Sequence, residues 1–238
     1  MSITLDALHE KGRTALLGGH PVLDSPPGPG SRRWGLSVLV RPGADLAARL
    51  GAVTADLVAL AGPGQWATGA ADTSHLTLYS LEPHRPGVTL DDPAARRYAD
   101  AVRAVGASCG PATFAVTGLV LTPGGVVAAA EPADDGARAL RPALVAALGG
   151  DVFEASYRGD TWWLSLVHLA TPLADPAGLV QHVDACRHEP LGFLRAGYVE
   201  LVRYDHRGGP GGERMVPVPL ASAGLTGVPE RADRAAHA

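Results

Sequence analysis

One feature constrains this chain more than any other: the same order of elements occurs twice, with a histidine-bearing strand at the same place in each half. A strand centred on HLTLYSL carries His75, and a strand over 161–171 (TWWLSLVHLAT) carries His168, 93 residues later. Apolar residues at helical spacing after an acidic start predict a helix over 45–61, between a β-rich run at 33–40 and the first histidine strand. A helix over 92–105 follows, with Pro93 suited to its first turn. Strands over 113–121 and 126–130 flank a Thr-Pro-Gly-Gly turn, a hairpin signal. A helix over 134–148, the His168 strand and a helix from 176 to about 188 come next, and strands over 197–204 and 215–220 close the series. This order predicts an α+β, duplicated bilobal fold: two antiparallel sheets facing a central groove, with helices outside. No Pro/Gly linker separates the halves, so 33–220 reads as one domain. Residues 1–32 read as a helix over 6–17 and a Pro/Gly-rich surface loop, and 221–238 as a disordered tail.

Composition narrows the function classes. An apolar fraction of 46% suffices for a sizeable core. A net charge of −4 gives no field that draws the chain to long nucleic acid or anionic membrane, so the expected partner is a small molecule or nucleotide. Lys11 is the only lysine, which removes a Schiff-base lysine and a phosphate-binding Gly-Lys-Ser/Thr loop from consideration. Cys109 and Cys186 lack paired spacing and read as reduced structural thiols. With no leader pattern and no apolar run of spanning length, a soluble cytoplasmic monomer is expected.

The chemistry centres on the histidines. Residues i and i+2 of a strand share a face about 6.5–7 Å apart. His75 and Thr77 therefore point the same way: a hydroxyl can donate to a phosphate oxygen while the imidazole moves a proton. A hydrogen-bonded core histidine would look the same in isolation, but the second histidine at the matching place changes the balance. Regular alternation puts His168 on one face with Trp162, Leu164, Leu166 and Ala170. Two imidazoles across a groove suit the opening of a cyclic phosphodiester, one neutral as base and one protonated as acid, without metal or other cofactor. The residues do not distinguish the two roles. Around them, Arg158 is a candidate phosphate clamp, and Tyr157, Tyr198 and Trp66 are candidate stacking platforms. Gly106-Ala-Ser108-Cys-Gly110 matches a nucleophile elbow on paper, but a helix precedes it and a strand follows, the reverse of what the elbow needs.

From His75-Leu-Thr77-Leu, through the hairpin FAVTGLVLTPGGVVAAAEP and His168, to the closing GYVELVRYDH…RMVPVPL, the chain resembles the two-histidine (2H) phosphoesterase superfamily over roughly 33–220. That superfamily includes 2′,5′ RNA ligase-like proteins and cyclic phosphodiesterases. The resemblance implies a duplicated α+β fold, two His-x-Thr/Ser motifs on facing strands, and 2′,3′-cyclic nucleotide or related phosphodiester chemistry. The second motif departs from the pattern, since it reads His168-Leu169-Ala170. A β-bulge near Ala170 would turn Thr171 inward in its place. Without that hydroxyl, one hydrogen bond to a charged group, about 1.5–3 kcal/mol, is lost. Two alternatives follow: a repurposed enzyme doing acid–base chemistry on a non-phosphate metabolite, or a binding module without catalysis.

Overall fold

Four of the five helices begin at a side chain that accepts the first free amides. A computed structural model describes residues 4–149, 161–208 and 213–227. In it Thr4 caps α1 (Leu5–Leu17), Asp92 caps α3 (Pro93–Ser108), Asp134 caps α4 (Asp135–Ala147) and Asp175 caps α5 (Pro176–Ala185). Gly43 precedes α2 (Ala44–Ala61) without a side-chain cap. The strands are β1 (Ser37–Val40), β2 (Trp66–Ala67), β3 (Leu76–Ser80), β4 (Ala112–Thr122), β5 (Gly125–Pro132), β6 (Trp162–His168), β7 (Gly192–Ala196), β8 (Tyr198–Arg207) and β9 (Arg214–Gly224).

The expected α+β architecture is observed, with the two sheets joined at a seam. The strand order is β7-β4-β5-β6-β3-β1-β8-β9, with β2 paired to β6, and the whole is antiparallel. The two four-stranded halves meet where Leu76 of β3 pairs with Leu164 of β6, so the two histidine strands form the seam itself. The halves of the sheet are not the halves of the sequence. One takes β4 to β7 in a row; the other combines β1 and β3 with β8 and β9, because β1 pairs with β8.

The four helices α2 to α5 cover one face of this sheet. Leu50, Leu57, Val102, Leu140, Leu144, Leu179 and Val183 pack there with Leu76, Leu164 and Leu166, all buried. Each such side chain contributes about 1.5–3 kcal/mol on burial. The opposite face holds two smaller clusters, Val120, Val127 and Ala129 under α1, and Leu39, Trp66, Val202, Tyr204 and Met215. The groove lies on this second face.

Helix α1 has a specific task. Strand β7 pairs β4 only from Ala112 to Val116, which leaves later amides of β4 at an edge. The Leu119 amide bonds the Cys186 carbonyl, and the Leu121 amide donates to His9 Nδ1 at 3.3 Å. His9 Nε2 lies 2.8 Å from Asp184 Oδ1, so a helix side chain closes the sheet edge. His9 is therefore buried.

Some boundaries and elements differ from expectation. Strand β1 starts at Ser37 rather than 33, because Trp34 has φ +65° and a Cβ on Gly35 would lie 1.7 Å from the Glu82 carbonyl oxygen. Strands β2 and β7 have no counterpart among the expected elements. Residues 221–224 are strand rather than tail, with Gly224 paired to Tyr198; residues 228–238 lie outside the described residues. Among the described residues, no helix is long and apolar enough to cross a membrane.

Candidate active site

His75 immediately precedes β3, and its ring is fixed at both nitrogens. Nδ1 lies 2.7 Å from the Thr73 carbonyl, which can only accept, so Nδ1 carries the proton. Nε2 then presents a lone pair, and the Tyr204 hydroxyl donates to it at 3.0 Å. Burial is the main reason the His75 pKa falls to about 4; the Thr73 bond opposes the fall, and the charges of Arg41 and His168 add to it. Tyr204 comes from β8 and is itself buried, which pushes its pKa up to about 12, while hydrogen bonds from Thr77 and Ser37 oppose that rise. Thr77 thus lies on the face with His75, as the strand period implies, and both line one cavity with Ser37 and Tyr204.

His168 reaches the same cavity by a route that regular alternation does not give. Val126 pairs with Val167 and Val127 with Ser165, so Leu166 is an extra, bulged residue. Its carbonyl accepts the Gly69 amide at 2.8 Å, and a Cβ at Gly69 would stand 2.9 Å from Leu166 Cα. Leu164 and Leu166 stay in the core, while the bulge turns His168 toward the cavity lined by Trp163 and Ser165. The expectation that His168 shares a face with Leu164 and Leu166 is corrected accordingly. The anticipated bulge exists, but at Leu166 rather than near Ala170.

Thr171 consequently does not supply the missing hydroxyl. It donates to the Pro63 carbonyl at 2.8 Å and accepts from Gln65 Nε2 at 2.9 Å, while Gln65 Oε1 takes the Ala170 amide. Neither Thr171 nor Ala170 lines the cavity. Trp66 is 1% exposed and packs against Trp34 and His206 in the core, which rules it out as a stacking platform in this cavity. Tyr198, at the start of β8, is also absent from the cavity wall. Tyr157 and Arg158 lie outside the described residues.

The N-terminal segment brings residues that no sequence signal marked. It crosses the β4–β5 turn and the end of β6: the Val22 amide bonds the Pro123 carbonyl and the Asp24 amide bonds the Leu169 carbonyl. Asp24 Oδ2 and Arg33 Nη2 each lie 2.9 Å from His168 Nδ1, and Arg33 Nη1 lies 2.5 Å from Asp24 Oδ1. The Trp34 ring sits edge-on between the two centres, 4.9 Å from the His168 ring and 5.3 Å from that of Tyr204. His84 holds the Trp34 carbonyl at 2.9 Å, fixing the left-handed backbone there. Burial lowers the His168 pKa; the Asp24 carboxylate opposes this, and the charge of Arg33 adds to it.

The cavity so formed has a volume of about 540 Å³, a size suited to a nucleotide-sized ligand. Arg32, Arg33 and Arg141 line it, and among the described residues no carboxylate does. Arg141 lies flat over Trp162 at 3.5 Å and donates to the Leu78 carbonyl. Such a wall favours an anion. Among the described residues there is no group of three or more His, Cys, Asp or Glu side chains that could hold a metal ion.

No protein-family model matches the chain, and no curated protein does. Among solved structures, TT0787 of Thermus thermophilus aligns with a TM-score of 0.57 at 18% identity, over 80% of this chain and 97% of that one. Escherichia coli LigT complexed with 3′-AMP aligns at 0.49 and 16% identity, over 81% and 98%. A structure described as a phosphoesterase aligns at 0.48 and 16%, over 84% and 99%. The likeness to TT0787 is one of fold, and it extends over nearly all of that protein.

Proposed function

We propose that this chain is a two-histidine phosphoesterase, a soluble cytoplasmic enzyme that acts as a monomer on a cyclic or 2′–5′ phosphodiester of nucleotide size without a metal ion. The observation that carries this reading is that His75 and His168, from the two seam strands, line one arginine-rich cavity. Their surroundings suggest the division of labour that the sequence left open. His75 is neutral with its lone pair on Nε2, which suits the base. Water, taking the place of the Tyr204 hydroxyl, gives its proton to Nε2 as its oxygen attacks phosphorus. His168, with the Asp24 carboxylate able to stabilise an imidazolium, suits the acid that protonates the leaving oxygen as the P–O bond breaks. The substrate's negative charge raises the proton affinity of both rings on binding. Thr77 lines the same cavity, where its hydroxyl would donate to a non-bridging oxygen.

A second reading, acid–base chemistry on a less charged metabolite, is favoured by one observation. Thr171 brings no hydroxyl to the cavity beside His168, and Val22, Val127 and Val167 make part of the wall apolar. A panel of 2′,3′-cyclic nucleotides, followed by phosphorus NMR, separates the two. Turnover of any member by the wild type, lowered by about 10²–10⁴ in both His75→Ala and His168→Ala, supports the phosphoesterase. A folded wild type that turns over no member rejects it.

A further inference from the structure

His168 Nδ1 has two suitors that cannot both be satisfied. Arg33 Nη2 can only donate and an ionised Asp24 can only accept, yet each is 2.9 Å from the same nitrogen. With a proton on Nδ1, the bond goes to Asp24 and an Arg33 N–H faces another N–H. With a bare Nδ1, Arg33 donates to it and the carboxylate oxygen faces a lone pair. In the free protein the hydrogen-bond geometry is met by Arg33, and Asp24 Oδ2 has no hydrogen-bond partner among the described residues. That arrangement corresponds to the neutral tautomer with its proton on Nε2, which is buried and also without a partner among the described residues.

This tautomer is the wrong one for either role. A base at Nε2 needs a lone pair there, and an acid needs an imidazolium; both require a proton on Nδ1, with Asp24 to receive it. Arg33 is the part that can move. Its side chain is 49% exposed, it lines the cavity, and its other contacts are Asp24 itself and, 5.6 Å away, the ring of Trp34. We infer that Asp24 and Arg33 are positioning residues for His168, in which Arg33 holds the free enzyme in the idle tautomer and a phosphate-class anion entering the cavity draws Arg33 off Nδ1. Nδ1 then takes a proton from solvent and bonds to Asp24, which leaves Nε2 as the working nitrogen. An anionic oxygen is a stronger partner for a guanidinium than a neutral imidazole nitrogen, which supplies the direction of the exchange. Arg33 thereby also provides a charged contact at the motif whose hydroxyl is missing. The other charged or ionisable groups around His168 are His75 on β3, Tyr204 on β8 behind Trp34, and Arg32 beside Arg33.

The catalytic consequence rests on the phosphoesterase reading, whereas the exchange at Nδ1 does not, and one experiment keeps them apart. Long-range nitrogen–proton NMR on the ¹⁵N-histidine-labelled full chain at pH 7 reads the protonation of each His168 nitrogen, assigned with His168→Gln. Inorganic phosphate is titrated as the probe. In the wild type, Nδ1 is expected to be bare without phosphate and protonated at saturation. Arg33→Gln should show a protonated Nδ1 before any phosphate is added, and Asp24→Asn should keep it bare throughout. A wild-type Nδ1 that is protonated from the start, or that phosphate leaves unchanged, overturns the inference, and this arm needs no variant to fold. If the exchange is seen but no cyclic nucleotide is turned over, the phosphoesterase reading falls alone. If turnover is found, Asp24→Asn should lower kcat by about tenfold or more with little change in KM and move the alkaline limb of the pH profile, which reports the acid, while Arg33→Gln raises KM. Unaltered pH profiles in both variants would sink the positioning role.

Discussion

Acid should weaken this fold through His75, and the size of the effect follows from its burial. An unfolded chain protonates His75 near pH 6.5, whereas the folded one resists until about 4. Between those values unfolding takes up a proton, so the contribution is complete above about pH 6.5 and is lost as pH falls toward 4. Each tenfold difference in proton affinity is about 1.4 kcal/mol, so the span amounts to ~3 kcal/mol, of which ~2 is gone by pH 5. That is a large part of the roughly 5–15 kcal/mol that holds a typical domain folded. The assay is urea unfolding at pH 7.5, 6 and 5 for the wild type and for His75→Gln, which cannot titrate. His168 and the carboxylates titrate in both proteins, so the difference between the two pH profiles isolates His75. The wild type should lose about 2 kcal/mol more than the variant between pH 7.5 and 5. Parallel losses would refute the claim that His75 is held neutral in a desolvated site.

Two further outcomes test the supports of the site. Tyr204→Phe removes the donor to His75 Nε2 and leaves a buried acceptor unmatched, so stability should fall by about 1–3 kcal/mol. The His75 pKa should at the same time rise above its wild-type value, because the lost bond favoured the neutral ring; an unchanged NMR titration would reject that bond. Gly69→Ala places a methyl 2.3 Å from Thr54 Oγ1 and 2.9 Å from Leu166 Cα. Overpacking of this kind costs about 1–3 kcal/mol, and because it displaces the bulge that turns His168, cyclic-nucleotide turnover should drop even at temperatures where circular dichroism shows the variant fully folded.

Local pattern explains what the sequence could reveal. Asp92, Asp134 and Asp175 sit at the starts of periodic runs and cap the helices that follow. His75, just before β3, and Thr77 line one cavity, as residues two apart in extended chain do. Failures begin where distant pairing decides. The Leu166 bulge depends on the Gly69 amide, far away in the chain, and no property of TWWLSLVHLAT alone announces it. The exchange of strands between lobes is equally silent, since pairing of β1 with β8 is written in neither strand by itself. Tyr204 is visible in the sequence only as another aromatic on a closing strand. Asp24 lies in a Pro/Gly-rich loop with no periodicity, so its approach to His168 is legible only once the Asp24 amide is seen bonded to the Leu169 carbonyl.

The two histidines are therefore not equivalent, and the reason lies in what each strand end has to hold. At the His75 end, the hydroxyls of Thr77 and Ser37 reach the site through Tyr204. At the His168 end, the Ala170 amide and the Thr171 hydroxyl are already committed to Gln65 and Pro63, which tie the strand to the turn after α2. Turning Thr171 toward a phosphate would break those bonds, at about 1 kcal/mol each, before any contact was gained. A guanidinium delivered from another segment avoids that conflict, and its bond to an anion is worth about 1.5–3 kcal/mol, the larger value expected of a charged pair. Arg33 is such a group, and the same segment carries the carboxylate that fixes the ring. Residues of the N-terminal segment thus complete the half of the site that lacks a threonine two residues after its histidine, and α1, by sealing the edge of β4 through His9, anchors the segment that brings them.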